Sequence, residues 1–237
     1  LCRNATTFKK DLSLDEDAFR QFLQRFVDAK LGVYLASGGS GEGHALSKSR
    51  GSESVEKTIN KYGAELIRLW AASIDFTEDV RFSDTILDRL VEAYRKLRNT
   101  FRYALGNLSD FDPAKDAVIT EDLLEIDRWI LARMQNVVER CIGFYDAYEF
   151  HRVHQLCNQF CSVTLSATYH DILKDRLYTL ATRAPLRRSS QTAIHHIFTS
   201  LVRLLAPVLT FTCDEAWSYA TAKTEYADDS VHLQDWP

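Results

Sequence analysis

Residues 83–106 restrict this chain to a small set of folds. Leu87, Leu90, Tyr94, Leu97, Phe101 and Ala104 recur there at alternating steps of three and four. That period is the seam of a helix that buries one stripe against other helices. The four prolines, at 113, 185, 207 and 237, leave most of the chain free to follow the same pattern.

Other segments carry that period. Residues 122–145 place Trp129, Ile130, Met134, Val137, Val138 and Cys141 on one side, and residues 149–168 read as a further helix, followed by a turn and a short helix at 171–177. Ala184-Pro185 breaks the pattern, residues 191–206 resume it, and Pro207 opens a last helix that runs to 219. Shorter helices are expected at 53–61 and 64–73, and a Ser13…Glu16 capping box opens one at 13–31. Val33-Tyr34-Leu35 and Val231-His232-Leu233 read as short strands. The fold class expected is all-α, a helical bundle with about five long helices.

Composition narrows the function. No apolar run approaches the roughly 18 residues of a membrane span, and no basic start with an apolar stretch behind it marks a signal peptide. The first residue, Leu1, suggests a fragment. Five cysteines without paired spacing fit a reducing compartment, hence the cytoplasm. A net charge of −4 argues against a general nucleic-acid coat but leaves room for a local basic patch. The one low-complexity stretch, Ser37-Gly38-Gly39-Ser40-Gly41-Glu42-Gly43, is the best boundary, and it sets residues 1–42 apart as a segment of uncertain origin.

Four groups of residues could carry chemistry. The loop His44-Ala45-Leu46-Ser47-Lys48-Ser49-Arg50-Gly51 has small hydroxyls, glycine and a central lysine ahead of a helix, a composition able to wrap phosphate. It equally suits a solvated linker. Arg95, Arg98 and Arg102 share a helical face roughly 115° from the apolar seam, at about 100° per residue. They form either a ridge for a phosphate backbone or an ordinary mixed-charge surface beside Asp88 and Glu92. His151, His154, Cys157 and Cys161 are metal-ligand types, but a single straight helix rarely wraps an ion tetrahedrally, so they are expected to be structural, with no metal. Trp70, Trp129 and Trp217 sit at helical spacing and are expected in the core rather than stacked on bases; Trp236 stands outside that pattern.

Residues 43–237 resemble isoleucyl-tRNA synthetases. Ala45-Leu46-Ser47-Lys48-Ser49 is similar to the KMSKS loop of class I synthetases, with Ala45 and Leu46 where the family has lysine and methionine. Lys61-Tyr62-Gly63-Ala64-Glu65-Leu66-Ile67-Arg68-Leu69-Trp70 resembles the helix that leaves that loop. Tyr94-Arg95-Lys96-Leu97-Arg98-Asn99-Thr100-Phe101-Arg102 resembles the first long helix of the family's anticodon-binding domain, Tyr169-His170-Asp171-Ile172-Leu173-Lys174-Asp175-Arg176-Leu177-Tyr178 is similar to a stretch that separates the isoleucine enzymes from the valine and leucine ones, and Val231-His232-Leu233-Gln234-Asp235-Trp236-Pro237 also fits the family. The resemblance implies a small remnant of the catalytic domain in front, a KMSKS-like loop with connecting helices at 43–80, and an anticodon-binding bundle at 81–237. It implies an ATP-using parent enzyme that joins isoleucine to its tRNA, with Lys48 stabilising charge on the ATP phosphates between Ser47 and Ser49. Arg95, Arg98 and Arg102 would then meet tRNA. No HIGH-type ATP motif, editing domain or cysteine zinc module is recognisable, so the fragment is expected to be a monomer that is inactive alone and free of membrane. The alternative is a non-catalytic paralogue that binds another protein or RNA.

Overall fold

The computed structural model describes residues 2–3, 33–34, 55–77, 82–221 and 230–237. The chain divides into two compact units, residues 1–61 and residues 62–237. In the first, strands β1 (Cys2–Arg3) and β2 (Val33–Tyr34) pair in parallel, Cys2 opposite Val33 and Arg3 opposite Tyr34. Helix α1 (Val55–Tyr62) closes this unit and crosses the boundary by one residue. The helix expected at 13–31 lies outside the described residues, as does the loop bearing Ser47, Lys48 and Ser49.

The second unit is all helical among its described residues. Helix α2 (Ala64–Ser73) follows Gly63, whose φ of 85° is a left-handed conformation that disfavours any residue with a Cβ. Helix α3 (Asp84–Asn107) is the seam helix of the sequence. Ser83 caps it by accepting a hydrogen bond from the Ile86 amide at 3.3 Å. Then come α4 (Pro113–Asp116), α5 (Glu125–Asp146), α6 (Phe150–Gln159), a π-helical segment (Phe160–Tyr169), α7 (His170–Thr179), α8 (Pro185–Leu205) and α9 (Thr210–Thr221).

Helix α8 is the centre. It packs on α3, α5, α7 and α9, and Ile194, Ile197, Phe198, Leu201, Val202, Leu204 and Leu205 are all buried. Phe198 meets Phe101 of α3 edge to face, with centroids 5.9 Å apart at 84°. That packing is the preferred aromatic geometry and adds about 0.5–1.5 kcal/mol beyond simple burial.

Four local expectations change. Pro207 lies in a turn, and the last helix opens only at Thr210. Residues 168–171 form no turn: α6, the π segment and α7 are one uninterrupted helical run. Ser166 and Thr168 donate their hydroxyls to the carbonyls of Cys161 and Val163, each five residues back, which suits the wider π spiral. Pro185 does not break a helix but starts α8 at its first turn, where a missing N–H costs nothing. Val231–Leu233 is a 3₁₀ turn rather than a strand, fastened by Asp214, which accepts from the Ser230 hydroxyl at 2.6 Å and the Val231 amide at 3.1 Å.

The front of α8 is buried but polar, and two knots satisfy it. Arg187 donates twice to Asp110 at 3.1 Å, while Arg188 reaches the Asp110 carbonyl, Gln191 and Asp116. Burial pushes the Asp110 carboxyl up, but the Gln191 amide and the Arg187 guanidinium bring it below the usual carboxylate value. Deeper in, the fully buried Asp127 of α5 accepts from the hydroxyls of Tyr169 and Ser189, each at 2.7 Å, and of Ser190 at 3.3 Å. At the other end Arg68 of α2 donates to the carbonyls of Pro207 and Val208, and Glu65 accepts from the Phe211 amide. These bonds tie α2 to the turn between α8 and α9.

Candidate RNA-binding face

Helix α3 buries Leu87, Leu90, Leu97, Phe101 and Ala104, which turns Arg95, Arg98, Asn99 and Arg102 to the surface. The three arginines predicted from the sequence stand together on one wall of an open groove between α3 and α9. The groove is about 680 Å³, and Thr212, Glu215 and Tyr219 form its other wall. Tyr94 and Thr212 share a hydrogen bond of 2.9 Å that fixes the spacing of the two helices at its floor.

The arginines are not equivalent. Arg95 lies 3.1 Å from Glu92, but the side chains are 63% and 61% exposed, and a pair this open to water holds little energy. Arg98 and Arg102 make no ion pair with any described carboxylate. The groove thus gathers three permanent positive charges against the single carboxylate of Glu215, on a chain of net charge −4. Guanidinium groups present a fixed fork of donors that matches a phosphate.

A second groove, of about 440 Å³, runs along the opposite flank of α3, where Asn99, Arg102, Tyr103 and Gly106 face Tyr178 of α7. Its inner wall is rigid: the Tyr103 ring stacks on His170 with centroids 3.9 Å apart at 23°. Burial pushes the His170 imidazole down to about 4, so it is neutral at pH 7. Burial, with Tyr178 close by, raises the Tyr103 phenol, so it stays protonated. This face offers charge, hydroxyls and aromatic rings side by side, which suits holding an anionic ligand with flat rings.

Other sequence candidates disperse. Cys157 and Cys161 lie in the core with Cys141 and Cys213. Contact with Cys141, 3.8 Å away, and burial push the Cys157 thiol well above its ordinary value, which leaves it inert. His154 is buried beside them, and His151 sits at the surface margin. Trp217 is buried and Trp70 and Trp129 are half-buried, as their spacing led us to expect, while Trp236 is exposed against Tyr145.

Sequence reasoning missed Tyr178 and Tyr219. Both positions carry a signal. Tyr178 follows Leu177 of the α7 core stripe by one residue, about 100° round the helix. Tyr219 is two residues beyond the buried Trp217, on the far side of α9.

Residues 127–237 match the family model of the anticodon-binding domain of tRNA ligase. The isoleucine–tRNA ligase of Natranaerobius thermophilus is 48% identical over 198 residues, which are 83% of this chain and 21% of that protein. That of Halorhodospira halophila is 47% identical over 204 residues, 83% of this chain and 22% of the relative. The chain therefore spans only 21–22% of the length of these relatives. Among solved structures, the Agrobacterium radiobacter K84 agnB2 LeuRS, crystallised in a ternary complex with tRNA and LeuAMS, has a TM-score of 0.58 at 16% identity, covering 80% of this chain and 22% of that one. At that identity the likeness is one of fold.

Proposed function

Because the chain belongs to the isoleucine–tRNA ligase family, we propose that its helical bundle grips the anticodon arm of an isoleucine-accepting tRNA, as the tRNA-holding part of an enzyme that joins isoleucine to that tRNA with ATP. Residues 81–237 are the gripping bundle and residues 43–80 its link to the ATP site. The observation that carries this reading is the groove wall where Arg98 and Arg102 stand without described carboxylate partners. Unspent guanidinium charge attracts phosphate, and each neutralised phosphate steepens the fall of affinity with salt by about 0.7–0.9 in a log–log plot.

The test is a salt titration of binding to isoleucine tRNA and to a non-cognate tRNA, with wild type and Arg98→Glu. Tighter binding of the cognate tRNA, a weaker affinity for the variant and a shallower salt slope are expected. Equal, weak affinity for both tRNAs, or an Arg98→Glu curve that overlays wild type, refutes the proposal.

In the parent enzyme Lys48, held between Ser47 and Ser49, meets the ATP phosphates and offsets the charge that builds as the adenylate forms. Ala45 withholds one charge from that loop. These 237 residues by themselves are expected to form no adenylate. Isoleucine-dependent ATP–pyrophosphate exchange by this chain is the result that would overturn that statement.

A further inference from the structure

We propose that Tyr178 and Tyr219 are stacking platforms for unpaired RNA bases on the two sides of α3, and that the RNA backbone crosses the helix between them at Gly106. This inference rests on the α3 ridge being the RNA-binding face.

Three observations carry it. First, Tyr178 and Tyr219 are 65% and 69% exposed, each on a helix whose core stripe is filled by other residues. A single exposed tyrosine needs no explanation. Here, though, each ring borders one of two grooves that share Asn99, Arg102 and Gly106 of α3, Tyr219 lining the one that also holds Arg98, Tyr178 the other.

Second, Gly106 lines both grooves. It stands one residue before the end of α3, where neither conformation nor packing demands a glycine. Its φ is not positive, and a Cβ built there meets nothing within 4 Å. The missing side chain leaves a notch in the ridge, open to solvent, where a backbone can pass from one groove to the other.

Third, the charge lies on the ridge and the rings lie in the flanks. A strand with its phosphates over Arg98 and Arg102 directs bases outward to either side. In a duplex those bases are paired and out of reach, whereas splayed bases of a loop stack readily on aromatic rings. The partner is therefore RNA with an unpaired stretch, not RNA duplex.

The experiment compares two probes of equal length and charge, a hairpin with 2-aminopurine at positions in its loop and a blunt duplex, against the full 237-residue chain. Stacking quenches 2-aminopurine emission. Tyr178→Ala and Tyr219→Ala are each expected to weaken hairpin binding by roughly tenfold, restore emission at one loop position, and leave duplex affinity within about twofold. Tyr178→Phe and Tyr219→Phe keep the ring and are expected to bind as wild type. Gly106→Gln fills the notch with a better helix former, so it is expected to weaken hairpin binding without lowering thermal stability.

If both alanine variants bind the hairpin as wild type does, or weaken hairpin and duplex equally, the stacking proposal falls. Arg98→Glu, run beside them, separates the levels. Weaker binding by that variant together with unchanged tyrosine variants sinks the stacking alone. Unchanged binding by all of them sinks the RNA-binding face as well.

Discussion

Asp127→Ala removes the acceptor at which α5, α8 and the π segment meet. The carboxylate is fully buried and takes two short hydroxyl bonds, from Tyr169 and Ser189 at 2.7 Å, and a longer one from Ser190 at 3.3 Å. The nearest cation, Arg176, stands 4.0 Å away and contributes little direct pairing. Hydrogen bonds to a charged group are worth about 1.5–3 kcal/mol each, so the two short ones amount to roughly 3–6 kcal/mol. Losing a buried charge returns part of this, because the folded state no longer has to desolvate it. We expect a net loss of about 3 kcal/mol, which for a chain of this size lowers Tm by about 6–12 °C. Far-UV circular dichroism during heating measures the shift, and urea titration gives the free energy. Tyr169→Phe removes one donor and is expected to cost about 2 kcal/mol. The double variant should fall short of the sum by about 1–2 kcal/mol, because both changes break the same bond. A Tm shift under about 2 °C for Asp127→Ala, or strict additivity in the double variant, would show that this knot does not hold the three elements together.

Two further outcomes follow from charge. Arg102→Gln should make the salt slope of tRNA binding shallower by about one unit, and Arg95→Gln by less, since Glu92 already shares that guanidinium; equal slopes for the two would refute the distinction. Burial lowers His170 from 6.5 to about 4, so between those values the unfolded chain binds more protons and stability should fall as pH falls. His170→Phe keeps a ring against Tyr103 and should make that fall shallower in pH-dependent urea unfolding, the buried His195 supplying much of what remains; an unchanged profile would refute it.

Where the hydrophobic period is strong, the fold was readable from the chain. The α3 seam of Leu87, Leu90, Leu97, Phe101 and Ala104 is buried as its spacing required, and Ile130, Met134, Val137, Val138 and Cys141 do the same in α5. The front of α8 was hidden because its buried residues are polar. Arg188, Ser189, Ser190, Gln191 and Thr192 look like a surface stretch until Asp110 and Asp127, distant in sequence, arrive to satisfy them. The run through 168–171 was hidden for a different reason, since a π spiral shifts the apolar register and mimics a break. At the candidate site the arginine row was legible because it lies on one helix. The tyrosines were not, because their meaning comes from α7 and α9 flanking α3, and adjacency in space has no local spelling.

The π segment also fixes where those tyrosines can be. In residues 160–169 each coil holds more residues than in an α-helix, so α6 and α7 belong to one rod yet are set out of phase. Deleting a single residue from 162–168, with the wide spiral otherwise kept, would rotate everything downstream by one residue step, somewhat less than the roughly 100° of an α-helix. Tyr169 would leave Asp127, and Tyr178 would leave its groove at the same stroke. The length of this short stretch is thus a dial for the aromatic flank, and chains that differ here by one residue should present a different surface to RNA even where every side chain is the same.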